Sequence, residues 1–390
     1  MRTPTRRTDH RRHRLAALAL LALCAACAAD EVLTPPAGDT RATDAGAGLR
    51  PAGPLAIGAP RALPSPDGCL MVGATDINDR GEVIGWAMNC PDGGRHAVHW
   101  DAAGNWTYLP EVAGEVLNPF AIDNQGTIVA YTDLMAGDAH PDVYEIRSSG
   151  RMAPLTFPEG AGTVMYPTDG PNRTGTMLLL ESAGGPATFH LWKGDARTTV
   201  LPAAPGGYFF ALDLNDHGEV VGSIEAGIQR DAATWSRRGF RTLGLMALAI
   251  GSVGEVIDDA GRVYGSTEFT PPPACAETAF PVGRATIWDR DGIPMLLEGE
   301  PFTCAVDPHF LDVTVSGLAV GTLGYRVEIE PFKVFAATAD GRWALASCAL
   351  DGVTARDGCE AAGINRDGTV VGTWRASPEW RAVTWTVTGQ

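Results

Sequence analysis

Short apolar segments rich in β-branched and aromatic residues recur along the chain, each bounded by glycine, asparagine, aspartate or proline. The stretch DINDRGEVIGW at 76–86 returns as DLNDHGEVVGS at 213–223 and as GINRDGTVVGT at 363–373, and looser copies lie at 121–131 and 256–266. Two degenerate copies, at 170–180 and 313–322, bring the number to seven. Outside the first 27 residues no segment keeps a 3.6-residue apolar period, so the pattern predicts a nearly all-β protein.

Each copy carries the same landmarks. A turn glycine is followed after 17–19 residues by an aromatic residue in an apolar segment, except in the fifth copy, where the interval is 27. The turn glycines are Gly81, Gly126, Gly175, Gly218, Gly261, Gly317 and Gly368, and the aromatic residues are Trp100, Tyr144, Trp192, Trp235, Trp288, Phe335 and Trp385. Four short segments per copy predict a four-stranded blade, and seven copies predict a single β-propeller over residues 61–390.

The last copy is incomplete, because only five residues follow Trp385. The segment RALP around Leu63 has the character of the missing fourth strand. We therefore expect residues near 61–66 to close the ring by pairing with the strand around Trp385.

The amino-terminal 27 residues have the features of an export signal: a basic stretch through Arg14, the apolar run at 15–23, and small residues after it. That run is shorter than the roughly 20 residues of a membrane-spanning helix. Cys27 is the expected lipidated residue of a bacterial lipoprotein, at the outer membrane or cell surface. The alternative is cleavage after Ala28, which gives a secreted or periplasmic protein. Residues 28–60 are rich in Ala, Gly and Pro and predict a flexible linker.

The net charge indicates which partners are unfavourable, and the number of cysteines indicates the cellular compartment. The formal charge is −16, and the first 27 residues hold six arginines and one aspartate, so the remainder carries −21. Such a chain repels phosphate backbones, which disfavours nucleic acid as a partner. Six cysteines follow the signal, an even number that favours disulfides in an exported protein. Proximity along the chain pairs them as Cys69–Cys90, Cys275–Cys304 and Cys348–Cys359.

The repeated DINDRG stretch has two interpretations. A calcium loop needs oxygen ligands at alternate positions, and no copy supplies all three before its glycine. A tight turn needs only an Asx side chain to cap backbone N–H groups and a glycine with positive φ. The pattern favours the turn and no cofactor. Calcium stays an alternative at Asp213, Asn215 and Asp216.

The chain resembles the extracellular HAF-type repeat proteins of bacteria. The match is clearest at Ile77, Asn78, Gly81, Val83, Gly85, His96, Ala97 and Trp100. The second element of the unit fades to DAATW, RATIW and RAVTW in later copies. The resemblance covers most of residues 70–388 and implies a repeat architecture without a defined activity.

The motifs of common hydrolases, zinc proteases and P-loop enzymes are absent from the sequence, so we expect a non-enzyme. Four aromatic residues at loop ends are candidate ligand contacts, although such rings more often pack between adjacent blades: Trp86, Tyr131, Tyr264 and Trp374. The sequence predicts a monomeric binding or scaffold module of the cell envelope, with a glycan or protein partner. A propeller enzyme acting on extracellular carbohydrate and a purely structural envelope protein are the alternatives.

Overall fold

The computed structural model describes residues 54–112, 115–132, 142–156, 164–182, 188–194, 197–270, 281–297, 306–325 and 332–389. These residues form 31 strands and no α-helix. A helix long and apolar enough to cross a membrane is therefore not found among them.

Five separate four-stranded sheets follow one another along the chain, each built from consecutive antiparallel strands. The second sequence copy forms β7 Leu117–Ile122, β8 Ile128–Thr132, β9 Val143–Ile146 and β10 Met152–Pro154. The third forms β11 Val164–Asp169, β12 Thr176–Ser182, β13 Thr188–Lys193 and β14 Arg197–Val200. The fourth forms β15 Tyr208–Leu214, β16 Val220–Ala226, β17 Gln229–Ser236 and β18 Gly239–Thr242. The fifth forms β19 Ala249–Ile257, β20 Val263–Phe269, β21 Val282–Trp288 and β22 Pro294–Leu296. The sixth forms β23 Val306–Val313, β24 Leu318–Tyr325, β25 Lys333–Thr338 and β26 Trp343–Leu345.

The two ends of the chain share a nine-stranded sheet. Its carboxyl-terminal strands are β29 Gly358–Ile364, β30 Thr369–Ala376 and β31 Glu379–Thr388, and its amino-terminal strands are β1 Ala56–Ile57, β2 Arg61–Ala62, β3 Met71–Ile77, β4 Val83–Met88, β5 Arg95–Trp100 and β6 Trp106–Tyr108. A small hairpin precedes β29, formed by β27 Ala349–Leu350 and β28 Val353–Thr354. The strands β1 and β2 pair with β31, and one parallel bridge, between Met71 and Trp380, joins β3–β6 to the carboxyl-terminal strands.

The amino-terminal segment pairs with the strand around Trp385, as the sequence predicted. In β2, Arg61 and Ala62 pair with Thr384 and Val383 of β31. The pairing begins with β1, before residue 61, so the predicted linker is too long at its carboxyl end. The reason is local: Leu55 is 8% exposed and packs in the same core as Trp385, although the surrounding composition is poor in large apolar residues.

The sheets pack face to face in chain order through buried apolar side chains. First strands meet first strands: β3 contacts both β7 and β29, and β19 lies between β15 and β23. The first strand of each sheet therefore faces the middle of the assembly. The predicted aromatic residues lie in the sheet interfaces, and Trp100 and Trp288 are fully buried. This is the arrangement of a β-propeller.

Each first strand contains an irregularity that reshapes its edge. Where the first strand pairs with the second, one extra residue is inserted in every copy. Such a bulge bends the strand and re-aims the next side chain. At Gly85, Gly222 and Gly372 of the second strand, an added Cβ would collide with the carbonyl oxygen of the bulged strand. In these three copies the second glycine of the repeat allows the close approach of the two backbones.

Candidate functional site

The repeated DINDRG stretch forms turns that link neighbouring sheets. Asn78 Oδ1 accepts hydrogen bonds from the backbone N–H groups of Arg80 and Glu82, both at 3.0 Å. Its amide donates to the carbonyl oxygen of Asp123 in the next sheet, at 2.9 Å. Gly81 has a φ of 80°, and all seven predicted turn glycines have positive φ. The side chain therefore both caps its own turn and fastens the following one.

The candidate calcium ligands of the fourth copy take part in this network. Asp213 accepts N–H groups from Leu214 and Ile257, both at 2.7 Å. Asn215 Oδ1 accepts two N–H groups of its own turn, and Asp216 accepts the N–H of a residue in the preceding copy. Each of these side chains thus accepts backbone N–H groups, either within its own turn or from a neighbouring sheet. Calcium at these residues remains the alternative interpretation.

Aspartates recur directly after the bulge of the first strand, and among them are Asp76 in β3, Asp213 in β15 and Asp312 in β23. One carboxyl oxygen of each of these three accepts the N–H of the following residue, and the other accepts an N–H of the next sheet. We call them the axial carboxylates. They tie first strands together around the middle of the assembly.

The axial carboxylates are close enough to influence one another. Burial, with Asp312 nearby, raises the pKa of Asp76 to about 8, although its backbone N–H partners favour the ionised form. Burial also raises the pKa of Asp312 to about 6, with Asp213 and Asp79 contributing. Gly363 lies between two of them: a Cβ there would be 3.0 Å from Asp76 Oδ1 and 3.4 Å from Asp312 Oδ2. At neutral pH, Asp76 therefore favours its protonated form.

A histidine and two acids connect β19 to β23. His309 Nδ1 lies 2.7 Å from Glu255 Oε1, and Asp307 Oδ2 lies 3.6 Å from His309 Nε2. The second Glu255 oxygen accepts the N–H of Phe310 at 2.7 Å. Burial disfavours charge on His309, but Glu255 and Asp307 outweigh it and raise its pKa to about 10. This histidine is an imidazolium at neutral pH, so it serves as an ion-pair partner rather than a general base.

A cluster of aromatic and charged side chains lies where the first and last copies meet, on the face opposite the turns. Trp86 and Trp380 are half-buried, with ring centroids 5.9 Å apart and planes at 66°. The Arg375 guanidinium carbon lies 4.4 Å from the centroid of Trp380, and the guanidinium also pairs with Glu360. We call these four residues the mouth cluster. The Met71–Trp380 bridge holds its two halves together.

The predicted ligand contacts separate into two groups. Trp86 is in the mouth cluster, and Tyr131 is half-buried with its ring centroid 6.5 Å from that of Phe120 in β7. Both side chains are partly exposed on the face of the mouth cluster, opposite the turns, which we call the mouth side.

The other two candidate contacts are buried and follow the alternative interpretation, in which such rings pack between adjacent sheets. Tyr264 has no exposed surface, and its hydroxyl lies 3.2 Å from the Asp258 carboxylate and 3.1 Å from the Gly317 carbonyl. Trp374 is 5% exposed and donates from Nε1 to the Cys348 carbonyl at 3.0 Å. Both side chains face the neighbouring sheet, where their polar atoms find partners.

Two predicted disulfides are confirmed, Cys69–Cys90 and Cys348–Cys359. Cys275, Cys304 and the predicted lipidation site Cys27 lie outside the described residues. The first disulfide joins the connection before β3 to the hairpin after β4. The second holds the hairpin of β27 and β28 to β29. Both clasp segments on the mouth side.

Three mouth residues were missed by the sequence analysis: Glu360, Arg375 and Trp380. A weak signal is present, since Glu360 is a charge in the middle of the otherwise apolar segment GCEAAGI. A buried charge requires a partner, and Arg375 is the partner on the adjacent strand. Nothing in the spacing indicates that Trp86, some 290 residues away in sequence, completes the group.

No protein-family model matches the chain, and no curated protein matches its sequence. Solved structures do match. A puromycin hydrolase mutant complexed with PGG has a TM-score of 0.52 and 15% identity, over 84% of this chain and 55% of that one. A second puromycin hydrolase structure has a TM-score of 0.50 and 14% identity, over 82% and 52%. A streptogramin B lyase has a TM-score of 0.49 and 12% identity, over 85% and 98%.

These similarities concern the fold. The chain spans about half the length of the puromycin hydrolases, and the identities are too low to carry an activity across. Their architecture agrees with the small sheets described above. The protein is therefore an all-β chain with the propeller arrangement.

Proposed function

We propose that this protein is an exported, non-catalytic binding module of the cell envelope that holds a glycan at its mouth cluster. The observation that carries the proposal is the pair of half-buried tryptophans, Trp86 and Trp380, fixed against Arg375. Indole faces pack on the apolar faces of sugar rings, and polar groups beside them accept or donate hydrogen bonds to hydroxyls. The mouth cluster combines both.

The geometry of the mouth cluster supports a preformed site. Glu360 is 9% exposed and pairs with Arg375, which fixes the guanidinium on the face of Trp380. The indole ring of Trp86 packs against Gly73, where an added Cβ would overlap the ring. Side chains locked in this way lose little conformational entropy when a ligand binds.

The proposed architecture is a seven-bladed propeller. Five separate sheets and the two groups of strands in the nine-stranded sheet correspond to the seven sequence copies. The strands β1 and β2 supply the outer edge beside β31 and stand in for the fourth strand of the last blade. The HAF-type resemblance supports the same repeat organisation.

We further propose that Cys27 carries the lipid anchor. The described chain begins beside the end of β31, on the face that bears the turns, because Ala56 pairs with Thr388. Residues 28–55 separate Cys27 from the first strand. A tether entering at the turn face favours an orientation in which the mouth cluster faces away from the membrane.

The test is retention on a panel of envelope and plant polysaccharides by Trp86→Ala, Trp380→Ala and the matched control Trp106→Ala. Trp106 is a half-buried tryptophan on the outer strand β6 of the same sheet. We expect the wild type and the control to be retained and both mouth variants to lose at least tenfold in affinity, about 1.4 kcal/mol. Equal binding by all four proteins would reject the mouth as the site. Absence of retention by the wild type would favour a protein scaffold or a structural role.

The second candidate function is hydrolysis of an extracellular carbohydrate by the axial carboxylates. Its support is the separation of their pKa values, about 8 for Asp76 and about 6 for Asp312, since paired acids of different pKa serve as acid and base in glycosidases. The strand-to-strand hydrogen bonds of both groups favour the structural role instead. Release of reducing ends by the wild type, lost in Asp312→Asn with the fold intact, would establish the hydrolase.

A further inference from the structure

A second group of reactive side chains lies on the mouth side of the first sheet, away from the mouth cluster. One candidate ligand atom each of Cys90, Asp92 and His96 lie within 4.8 Å of one another. Asp92 is exposed, His96 is half-buried and Cys90 is buried. In the structure Cys90 is bonded to Cys69, so its sulfur is not available as a ligand.

We propose that reduction of the Cys69–Cys90 disulfide converts this clasp into a zinc site. Its ligands are the two thiolates, the Asp92 carboxylate and the His96 imidazole. Four ligands of this kind match the tetrahedral preference of Zn²⁺ for sulfur, nitrogen and oxygen. Ligand atoms around one zinc ion stand on the order of 3–4 Å apart. The two sulfurs, bonded to each other in the structure, must therefore move apart, while the Cys90, Asp92 and His96 ligand atoms, now within 4.8 Å of one another, must adjust by about 1 Å.

The surroundings of His96 support the assignment. Its Nε2 now lies 2.8 Å from Asp92 Oδ2, the position where a metal ion would replace the shared proton. Its Nδ1 lies 3.6 Å from Glu111 Oε1. A carboxylate behind the far nitrogen of a histidine fixes the ring orientation and strengthens it as a metal ligand. The Asp92 backbone position is set by its other oxygen, which accepts the Gly94 N–H at 2.9 Å.

The chemistry balances with a dithiol reductant. The dithiol transfers two electrons and two protons to the disulfide, giving two cysteine thiols and the oxidised reductant. Zinc binding then releases both thiol protons, because thiolates are the ligands. Cys69 is half-buried and lies 3.9 Å from the exposed Tyr108 hydroxyl, so a reductant reaches the bond from solvent.

Zinc would hold the same two segments that the disulfide holds. Cys69 precedes β3, and the other three ligands lie on the turn and strand that follow β4. The first sheet keeps its clasp in either redox state. The inference is independent of glycan binding at the mouth.

The test uses the full chain with Cys69→Ser, which frees the Cys90 thiol and keeps three of the four proposed ligands while the Cys348–Cys359 disulfide stays oxidised. Zn²⁺ binding is measured by competition with a chromophoric chelator, and Co²⁺ reports thiolate ligation through its charge-transfer absorption. We expect one Zn²⁺ per chain for Cys69→Ser, none for the oxidised wild type, and at least about 100-fold weaker binding when His96→Gln is added. The matched control adds His99→Gln, a half-buried histidine of the same strand, and is expected to bind as Cys69→Ser does.

Two results would overturn the zinc site: binding by Cys69→Ser no tighter than by the oxidised wild type, or unchanged binding after His96→Gln. If Cys69→Ser fails to fold, the zinc site is tested instead in the wild type reduced by a dithiol. Zn²⁺ should then protect Cys69 and Cys90 from alkylation, as mapped by mass spectrometry. Equal alkylation with and without Zn²⁺ would reject the proposal.

Discussion

Asn365, in the last repeat, donates its side-chain amide to the backbone carbonyl of Asn78, in the first repeat, at 3.3 Å. The two residues are 287 positions apart in sequence and occupy the same place in their copies. Asn78 in turn donates to the next copy. Amide hydrogen bonds of this kind, which we call latches, link neighbouring copies at Asn78, Asn172, Asn215 and Asn365, and the bond of Asn365 joins the last copy to the first.

Replacing Asn365 removes both contributions of this side chain: the cap of its own turn and the hydrogen bond to the first copy. Asn365→Ala should lower the free energy of unfolding by about 1–2 kcal/mol, because it removes a turn cap and leaves two partly buried backbone N–H groups without this acceptor. Urea unfolding at neutral pH measures the change. The matched control is Asn105→Ala, an exposed turn residue within the first sheet, which should cost less. An Asn365→Ala protein as stable as the wild type would mean that the latch adds no stability.

The amino-terminal strands should be required for cooperative unfolding. Deletion of residues 55–67 removes β1 and β2 and exposes the long edge of β31. It also removes the Pro64 carbonyl that accepts from Trp100 Nε1 at 2.7 Å. We expect a broadened melt and a large loss of stability. Deletion of residues 40–52 from the predicted linker is the control, and its melt should match the wild type.

The second glycine of the repeat offers a test of the bulge. At Gly222 an added Cβ would overlap the carbonyl oxygen of Phe210, so Gly222→Ala should cost about 1–3 kcal/mol through overpacking. The second copy has Ala130 at this place and accommodates it. Ala130→Gly should therefore change stability by less than Gly222→Ala. Denaturant unfolding measures both changes in stability. Equal effects of the two substitutions would show that the backbone at Gly222 can move away from Phe210 without loss of stability.

The repeat made most of the fold predictable, because a turn glycine and a buried aromatic residue are local requirements repeated in every copy. Gly81 and Trp100 illustrate both, and the structure places them as expected. Proximity along the chain was also enough for the Cys69–Cys90 pairing. Features set by contacts between copies were less visible. The Asn78 amide has its partner in another repeat, and spacing alone does not show which backbone group it meets.

The mouth cluster shows why the candidate site was only partly predictable. Trp86 is recognisable as an aromatic residue at a strand end, but Tyr264, which lies two positions earlier in its copy, at the place of Ile84, is fully buried. What separates them is the neighbouring sheet: Tyr264 meets Asp258 and Gly317, whereas Trp86 meets Trp380 and open surface. Those neighbours are brought together by the fold, since Trp380 comes from the opposite end of the chain.

The axial carboxylates should make stability depend on pH. The pKa of Asp76 is about 8 in the folded protein and close to 3.8 when exposed, so between these values the folded state binds more protons than the unfolded state. Stability must then fall as pH rises from about 4 to about 8. Asp312, with a pKa of about 6, adds to the fall in the lower part of this range. The combined loss is expected to be on the order of a few kcal/mol.

Asp76→Asn provides the measurement that assigns this loss. The amide carries no charge at any pH, so the slope of unfolding free energy against pH should be smaller than in the wild type. The variant should also be less stable than the wild type at pH 5, because an amide nitrogen cannot accept the N–H of Ile122 that Asp76 Oδ2 accepts at 2.8 Å. Urea unfolding at pH 5, 6, 7 and 8 gives both quantities. A wild-type slope that persists unchanged in Asp76→Asn would place the pH dependence elsewhere, because the axial position would then carry no titrating charge.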